Sequence, residues 1–286
     1  MRSDIKETQF RSLLAYRAHR GGEGPTVQPM VNIALRAARR AGQMISRTVD
    51  RVDELLVEEK SRNDLVSDVD RNAEAIIIET IRNAYPDHSI LAEESGILDA
   101  DGEFRWVIDP LDGTSNFVHG YPSFAVSIGL FFQNEPLVAV VMEMPHTKLY
   151  SAIKGEGAWC EGQSISCSQT ESLNQSLLVT GFGYEHGENW KRNMRLFKHF
   201  TDTTHGVRRL GAAAVDLCHV ASGKVDGFWE YDLKPWDTAA GILIAREAGC
   251  VVSQMDGSDY SIYDNNIMVG NPKIHSRLIR EIGNII

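Results

Sequence analysis

The chain has little that would tie it to an oxidising compartment, a membrane or a nucleic acid. Its four cysteines, Cys160, Cys167, Cys218 and Cys250, are scattered with no Cys-x-x-Cys pair. That spacing argues against a zinc knuckle or a dithiol redox motif and reads as reduced structural thiols in a cytoplasmic protein. No apolar run approaches the length of a transmembrane helix. Positive charge is in deficit, 29 Lys and Arg against 39 Asp and Glu, for a net charge of −10. Such a surface repels phosphates at long range, so general binding to nucleic acid or to a membrane surface is not expected. Repeats and low-complexity tracts are missing as well. What remains, 286 residues at 43% hydrophobic and 24% charged, is ordinary for a soluble globular enzyme. The length suits one large domain or two that share a core.

The first 29 residues differ from the rest. Gly21-Gly22-Glu23-Gly24-Pro25 is a linker signal, no apolar signal-peptide core is present, and Asp4, Glu7 and Glu23 oppose a transit peptide. Residues 1–29 are therefore expected to be a disordered extension ahead of an amphipathic pattern that opens at Met30. Ile33, Ala34, Ala37, Ala38, Ala41, Met44 and Ile45 recur at helical spacing, as do Ala73, Ile76, Ile77, Thr80 and Ile81 in a second helix over Asp70–Ala84. Phe124–Phe132 and Pro136–Met144 flank Gln133-Asn134-Glu135 as a β-hairpin, with further strands over Leu149–Ile153 and Gly157–Cys160. An apolar strand over Leu177–Phe182 and a helix over Glu188–Phe200 follow. From there helices (Gly211–Ser222, Trp236–Ala248, Pro272–Ile282) alternate with strands (Val225–Glu230, Cys250–Gln254, Ile267–Val269). This predicts a mixed fold: an α+β half over residues 30–172 with an antiparallel sheet, and an α/β half over 173–286. The layers stack helix, sheet, helix, sheet, helix, with a site in the cleft between the halves.

The most informative run is Trp106-Val107-Ile108-Asp109-Pro110-Leu111-Asp112-Gly113-Thr114-Ser115-Asn116-Phe117. Pro110 restricts Asp109 to extended backbone, so a short strand over Trp106–Ile108 delivers that carboxylate to its end. Asp112-Gly113 signals a turn, and Thr114, Ser115 and Asn116 are all good helix N-caps. Carboxylates for hard cations then stand beside helix N–H groups suited to phosphate oxygens. An isolated Asp-x-x-Asp-Gly would be read as a surface loop; the whole run is much rarer. Asp109 and Asp112 are oxygen donors, a chemistry that suits Mg²⁺ better than Zn²⁺. Asp70, taken alone, reads as the N-cap of the helix that it begins. Lys60 and Asn63-Asp64 lie in a loop that either closes over a site or is merely solvated.

Asp109–Phe117 closely resembles the signature of the inositol monophosphatase family, within the magnesium-dependent, lithium-sensitive sugar phosphatase superfamily. Ala92-Glu93-Glu94-Ser95 resembles that family's Gly-Glu-Glu-Ser motif, with alanine in place of glycine. Trp236-Asp237-Thr238-Ala239-Ala240-Gly241 resembles its C-terminal motif. Order and spacing match from about Met30 to the C-terminus. The resemblance implies a sandwich of αβαβα layers and Mg²⁺-dependent hydrolysis of myo-inositol 1-phosphate or related polyol monophosphates. It also implies that Glu93, Asp109 and the Leu111 carbonyl hold one metal, and that Asp109, Asp112 and Asp237 hold a second. Asp70 would then polarise the Thr114 hydroxyl, with the Gly113 and Thr114 amides on the phosphate. Substrate contacts are implied for Leu111, Asp112, Gly113, Thr114, the Ala213 backbone, Glu230 and Asp237. Arg208 and Arg209 are either substrate ligands or a solvent-facing pair. Ala212 stands where the family carries a hydroxyl residue. His119, Trp106 and Trp236 read as packing residues. Fructose-1,6-bisphosphate, 3′-phosphoadenosine-5′-phosphate and histidinol phosphate are the alternative substrates. A homodimer is expected, and the bacterial branch of the family adds transcription antitermination proteins as partners.

Overall fold

The computed structural model describes residues 27–49, 57–61, 64–100, 102–183 and 186–285. The first helix, α1 (Gln28–Thr48), opens two residues ahead of Met30, and Val27 before it is already buried. The expected extension over 1–29 is thus too long at its C-terminal end, and its first 26 residues lie outside the described residues. Pro29 in the first turn explains the early start: its missing N–H is an orphan there anyway and its φ is preset for a helix.

A two-stranded hairpin, β1 (Val57–Ser61) and β2 (Asp64–Ser67), precedes α2 (Asp68–Arg82). Lys60 and Asp64 therefore sit in paired strands rather than in an open loop, and Asn63 between them lies outside the described residues. Asp70 falls in the first turn of α2 and is not its N-cap, because the helix begins two residues earlier.

The strands β3 (Ser89–Ala92), β4 (Gly96–Leu98), β5 (Phe104–Asp112), β6 (Phe124–Phe132), β7 (Glu135–Met144), β8 (Lys148–Ile153), β9 (Gly157–Cys160) and β10 (Gln163–Ile165) form one sheet in the order β10-β9-β8-β7-β6-β5-β3-β4. Every pairing is antiparallel except β3 with β5, which is parallel. The expected hairpin is β6–β7, turned at Gln133 and Asn134, both at positive φ. A five-stranded sheet in the order β12-β11-β13-β15-β14 is built from β11 (Leu177–Thr180), β12 (Gly206–Arg208), β13 (Gly227–Tyr231), β14 (Val251–Ser253) and β15 (Asn266–Gly270). Here β11 runs parallel to both β12 and β13, while β15 is antiparallel to β13 and β14.

Helices α1 and α2 cover one face of the large sheet. Helices α5 (Ala213–Ala221) and α6 (Pro235–Glu247) fill the space between the two sheets. The outer face of the small sheet carries α4 (Glu188–Thr203) and α7 (Pro272–Ile285). The layers are thus α, β, α, β, α. Because β5 is covered on both faces, Trp106 through Asp112 are all buried, which explains an apolar run without alternation.

Candidate active site

Strand β5 does not stop at Ile108. It continues through Pro110 and Leu111 to Asp112, pairing Asp109 with Ser127 and Asp112 with Ala125. One extra residue on the β5 side makes a bulge, which re-aims side chains at the end of the strand. The main-chain N–H of Leu111 donates back to Asp109 Oδ1 at 3.0 Å. Gly113 then turns the chain at φ +90° into α3 (Thr114–Val118), and a Cβ there would stand 3.0 Å from the Ser123 carbonyl oxygen. Only glycine meets both demands without strain. Asn116 ties this turn to the second half by donating to the carbonyls of Ser123 at 2.6 Å and Leu210 at 2.7 Å.

The turn opens on a cavity of about 480 Å³ that takes residues from both halves. Glu93 enters from the end of β3, Asp109, Leu111 and Asp112 from β5, and Gly113 and Thr114 from the start of α3. From the other half come Ala213 at the start of α5, Glu230 on β13 and Asp237 in the first turn of α6. Burial holds Asp109 well above the usual carboxylate range, and the charges of Glu93, Asp112 and Asp237 push the same way, against the Leu111 N–H. Asp112 is raised by burial and by Asp237, although Ala214 N–H donates to its Oδ2 at 2.7 Å. Glu230 is raised too, by burial and then by Asp237. The Asp237 Oδ2 accepts the Lys234 N–H at 2.7 Å, closing the first turn of α6. Among the described residues, no three His, Cys, Asp or Glu side chains are arranged as a ready-made metal site; three of these carboxylates are instead engaged by main-chain N–H groups.

Asp70 lies behind the cavity wall, 1% exposed. The Thr114 hydroxyl donates to its Oδ1 at 2.6 Å, and the Leu111 carbonyl lies 3.1 Å from the same hydroxyl. Glu93 is held from behind. Buried Glu74, on α2, accepts the N–H groups of Glu94 at 2.8 Å and Ser95 at 2.9 Å, and Glu93 N–H reaches Ile108 O at 3.2 Å.

Arg208 does not join this group. It is exposed at the end of β12 and does not line the cavity, whereas its neighbour Arg209 does. His119 is exposed rather than packed, at the C-cap of α3, whereas Trp236 packs against the core between the sheets and also lines the cavity. Trp106 is a packing residue, fully buried, with its indole N–H donating to His88 Nδ1 at 3.0 Å. Sequence reasoning missed Glu74 and Asp216. Glu74 follows Ala73 on the inner stripe of α2, and an acid at a buried helical position was the available signal. Asp216 lines the cavity from α5 with a buried, unpartnered Oδ1.

A profile of the inositol monophosphatase family matches residues 26–286. The chain is 46% identical to the chloroplastic phosphatase IMPL1 of Arabidopsis thaliana, covering 90% of this chain and 71% of that one. It is 43% identical to the Nus factor SuhB of Pseudomonas aeruginosa, over 90% of this chain and 96% of the other. Among solved structures, inositol monophosphatase from Anabaena superposes with a TM-score of 0.79 at 39% identity, covering 91% of this chain and 97% of that one.

Proposed function

Since the chain belongs to the inositol monophosphatase family and is a phosphatase of that kind, we propose that it hydrolyses myo-inositol 1-phosphate or a closely related polyol monophosphate with the help of Mg²⁺. The observation that carries this reading is the convergence of Glu93, Asp109, Asp112 and Asp237, from the end of β3, from β5 and from α6, on one cavity that no His or Cys lines among the described residues. Such a set, with the Leu111 carbonyl, fits a hard cation that takes oxygen ligands. Glu93, Asp109 and Leu111 would hold one ion, and Asp109, Asp112 and Asp237 a second. Bound there, Mg²⁺ supplies charge stabilisation at the phosphate and lowers the pKa of a coordinated water.

The protein's own groups complete the chemistry. The Thr114 Oγ1, committed as donor to Asp70 Oδ1, presents its lone pairs to a water in the cavity. As that water attacks phosphorus, its proton passes to Thr114 Oγ1 while the Thr114 proton moves to Asp70 Oδ1; the P–O bond to the alcohol breaks, and the departing alkoxide takes up a proton from solvent water. Burial of Asp70 keeps this relay aligned and free of competing solvent. The Gly113 and Thr114 N–H groups, at the start of α3, have no intrahelical partner and are free to take phosphate oxygens. Glu230 and the Ala213 backbone face the alcohol part of the ester, where an acid acceptor and a main-chain group select hydroxyls. The test is phosphate release from myo-inositol 1-phosphate with and without Mg²⁺, compared with fructose 1,6-bisphosphate, 3′-phosphoadenosine 5′-phosphate and histidinol phosphate. A higher kcat/KM on any of these three than on the inositol ester overturns the substrate assignment, and full activity in chelator overturns the metal. The Nus-factor name of one relative adds transcription proteins as partners, to be tested by co-purification with RNA polymerase.

A further inference from the structure

Three of the four cysteines are buried, and one of them, Cys167, packs against the residues that lead into another, Cys250. Cys167 lies in the segment that leaves the large sheet after β10, and Cys250 lies between α6 and β14. The main-chain N–H of Cys167 donates to the Ala248 carbonyl at 2.9 Å, which fixes this crossover against the end of α6. A Cβ built on Gly249 would stand 3.7 Å from Cys167 Sγ, which puts that sulfur beside the residue leading into Cys250, and both cysteines belong to the same apolar cluster. On either side of Cys167, Ser166 is exposed and Ser168 half-buried, so the crossover runs along the surface.

We propose that Cys167 and Cys250 are a redox modification site that forms an intramolecular disulfide by exchange with a low-molecular-weight disulfide. The neighbouring Cys250 thiol lowers Cys167, against the opposing effect of burial, and Cys167 with burial raises Cys250. Cys167, on the crossover that runs along the surface, is the attacking thiol and Cys250 the resolving one. The Cys167 sulfur attacks one sulfur of RSSR, whose S–S bond breaks. RS⁻ departs and takes up the proton that Cys167 released. Cys250 then gives up its proton and attacks the Cys167 sulfur, expelling the second RS⁻, which takes up that proton. Two protein thiols are oxidised to one disulfide, and RSSR is reduced to two RSH. The bridge ties the crossover between the sheets to the helix whose first turn carries Asp237, and closes a long loop, which restricts the unfolded chain.

The experiment treats the full chain with glutathione disulfide and analyses it without reductant. The expected product runs as a single chain under denaturing, non-reducing conditions, has lost the mass of two hydrogens, retains two of its four free thiols, and yields a peptide linking Cys167 to Cys250. Its Tm should rise by roughly 5–10 °C and return to the starting value with dithiothreitol. Cys160→Ser, the half-buried alternative, should behave like the unsubstituted chain, while Cys167→Ser and Cys250→Ser should each abolish the bridge. A glutathione adduct that persists on Cys167, a bridge through Cys160 or Cys218, or a disulfide-linked dimer would overturn the proposal. So would four thiols left unreacted.

Discussion

Replacing Thr114 by valine removes one hydroxyl and keeps the shape of the side chain, which makes it a sharp probe of the proposed relay. The hydroxyl makes a 2.6 Å bond to Asp70 Oδ1, and Asp70 is 1% exposed. Taking the donor away from a buried carboxylate costs about 1–3 kcal/mol. Asp70 keeps other interactions, so the low end of that range is expected. A folded state worth about 5–15 kcal/mol survives such a loss, so Thr114→Val should be soluble and cooperatively folded in a urea titration, with a slightly lower midpoint. Its effect on turnover should be far larger. A water without its proton acceptor loses a general-base contribution of about 10²–10⁴-fold, roughly 3–5 kcal/mol of transition-state stabilisation. Because the loss is felt only where the water is being deprotonated, kcat should fall while KM stays within a few-fold. Asp70→Asn should give a similar kcat, and the double variant should be no worse than either single one. Steady-state phosphate release for the three variants decides the matter. A kcat within a few-fold of the unsubstituted enzyme, or losses that add fully in the double variant, would refute the relay.

Other outcomes follow from the same geometry. Asp109→Asn should lower kcat by several orders of magnitude; without added metal it should not lower the Tm, because the amide relieves repulsion from Glu93, Asp112 and Asp237. Gly181→Ala would place a Cβ 2.2 Å from the Glu230 carboxylate; overpacking should cost about 1–3 kcal/mol and the displaced Glu230 should raise KM for the polyol ester, so an unchanged KM would argue against Glu230 as a hydroxyl contact. His88 accepts the Trp106 indole N–H on Nδ1, and burial lowers its pKa, outweighing Asp87. Its neutral form therefore stabilises the fold above the ordinary imidazole value of about 6.5, and that contribution is lost as pH falls through the lowered folded value. Tm measured from pH 8 to 5 should drop on the acid side, and His88→Leu should flatten that limb.

What the sequence determined by itself was the local chemistry. Pro110, the Asp112-Gly113 turn and the helix start at Thr114 act over a handful of residues, so the shape of the β5–α3 corner is written in order along the chain. Amphipathic spacing likewise marked α1 and α2, and the β6–β7 hairpin was bounded by its own turn residues. The tertiary structure decided everything that depends on which way a side chain faces once distant segments meet. Thr114 and Asp70 are 44 positions apart, and only the packing of α2 behind β5 turns a first-turn acid into the acceptor for that hydroxyl. Glu74 became the clamp under Glu93 for the same reason. Arg209, one residue beyond β12, lines the cavity while Arg208, paired with β11, does not, a difference that two adjacent arginines in sequence do not reveal. Local torsional preferences are intrinsic to the residues and travel with the sequence, whereas burial and facing are properties of the assembled layers and exist only when the two sheets and the α5–α6 layer between them are in place.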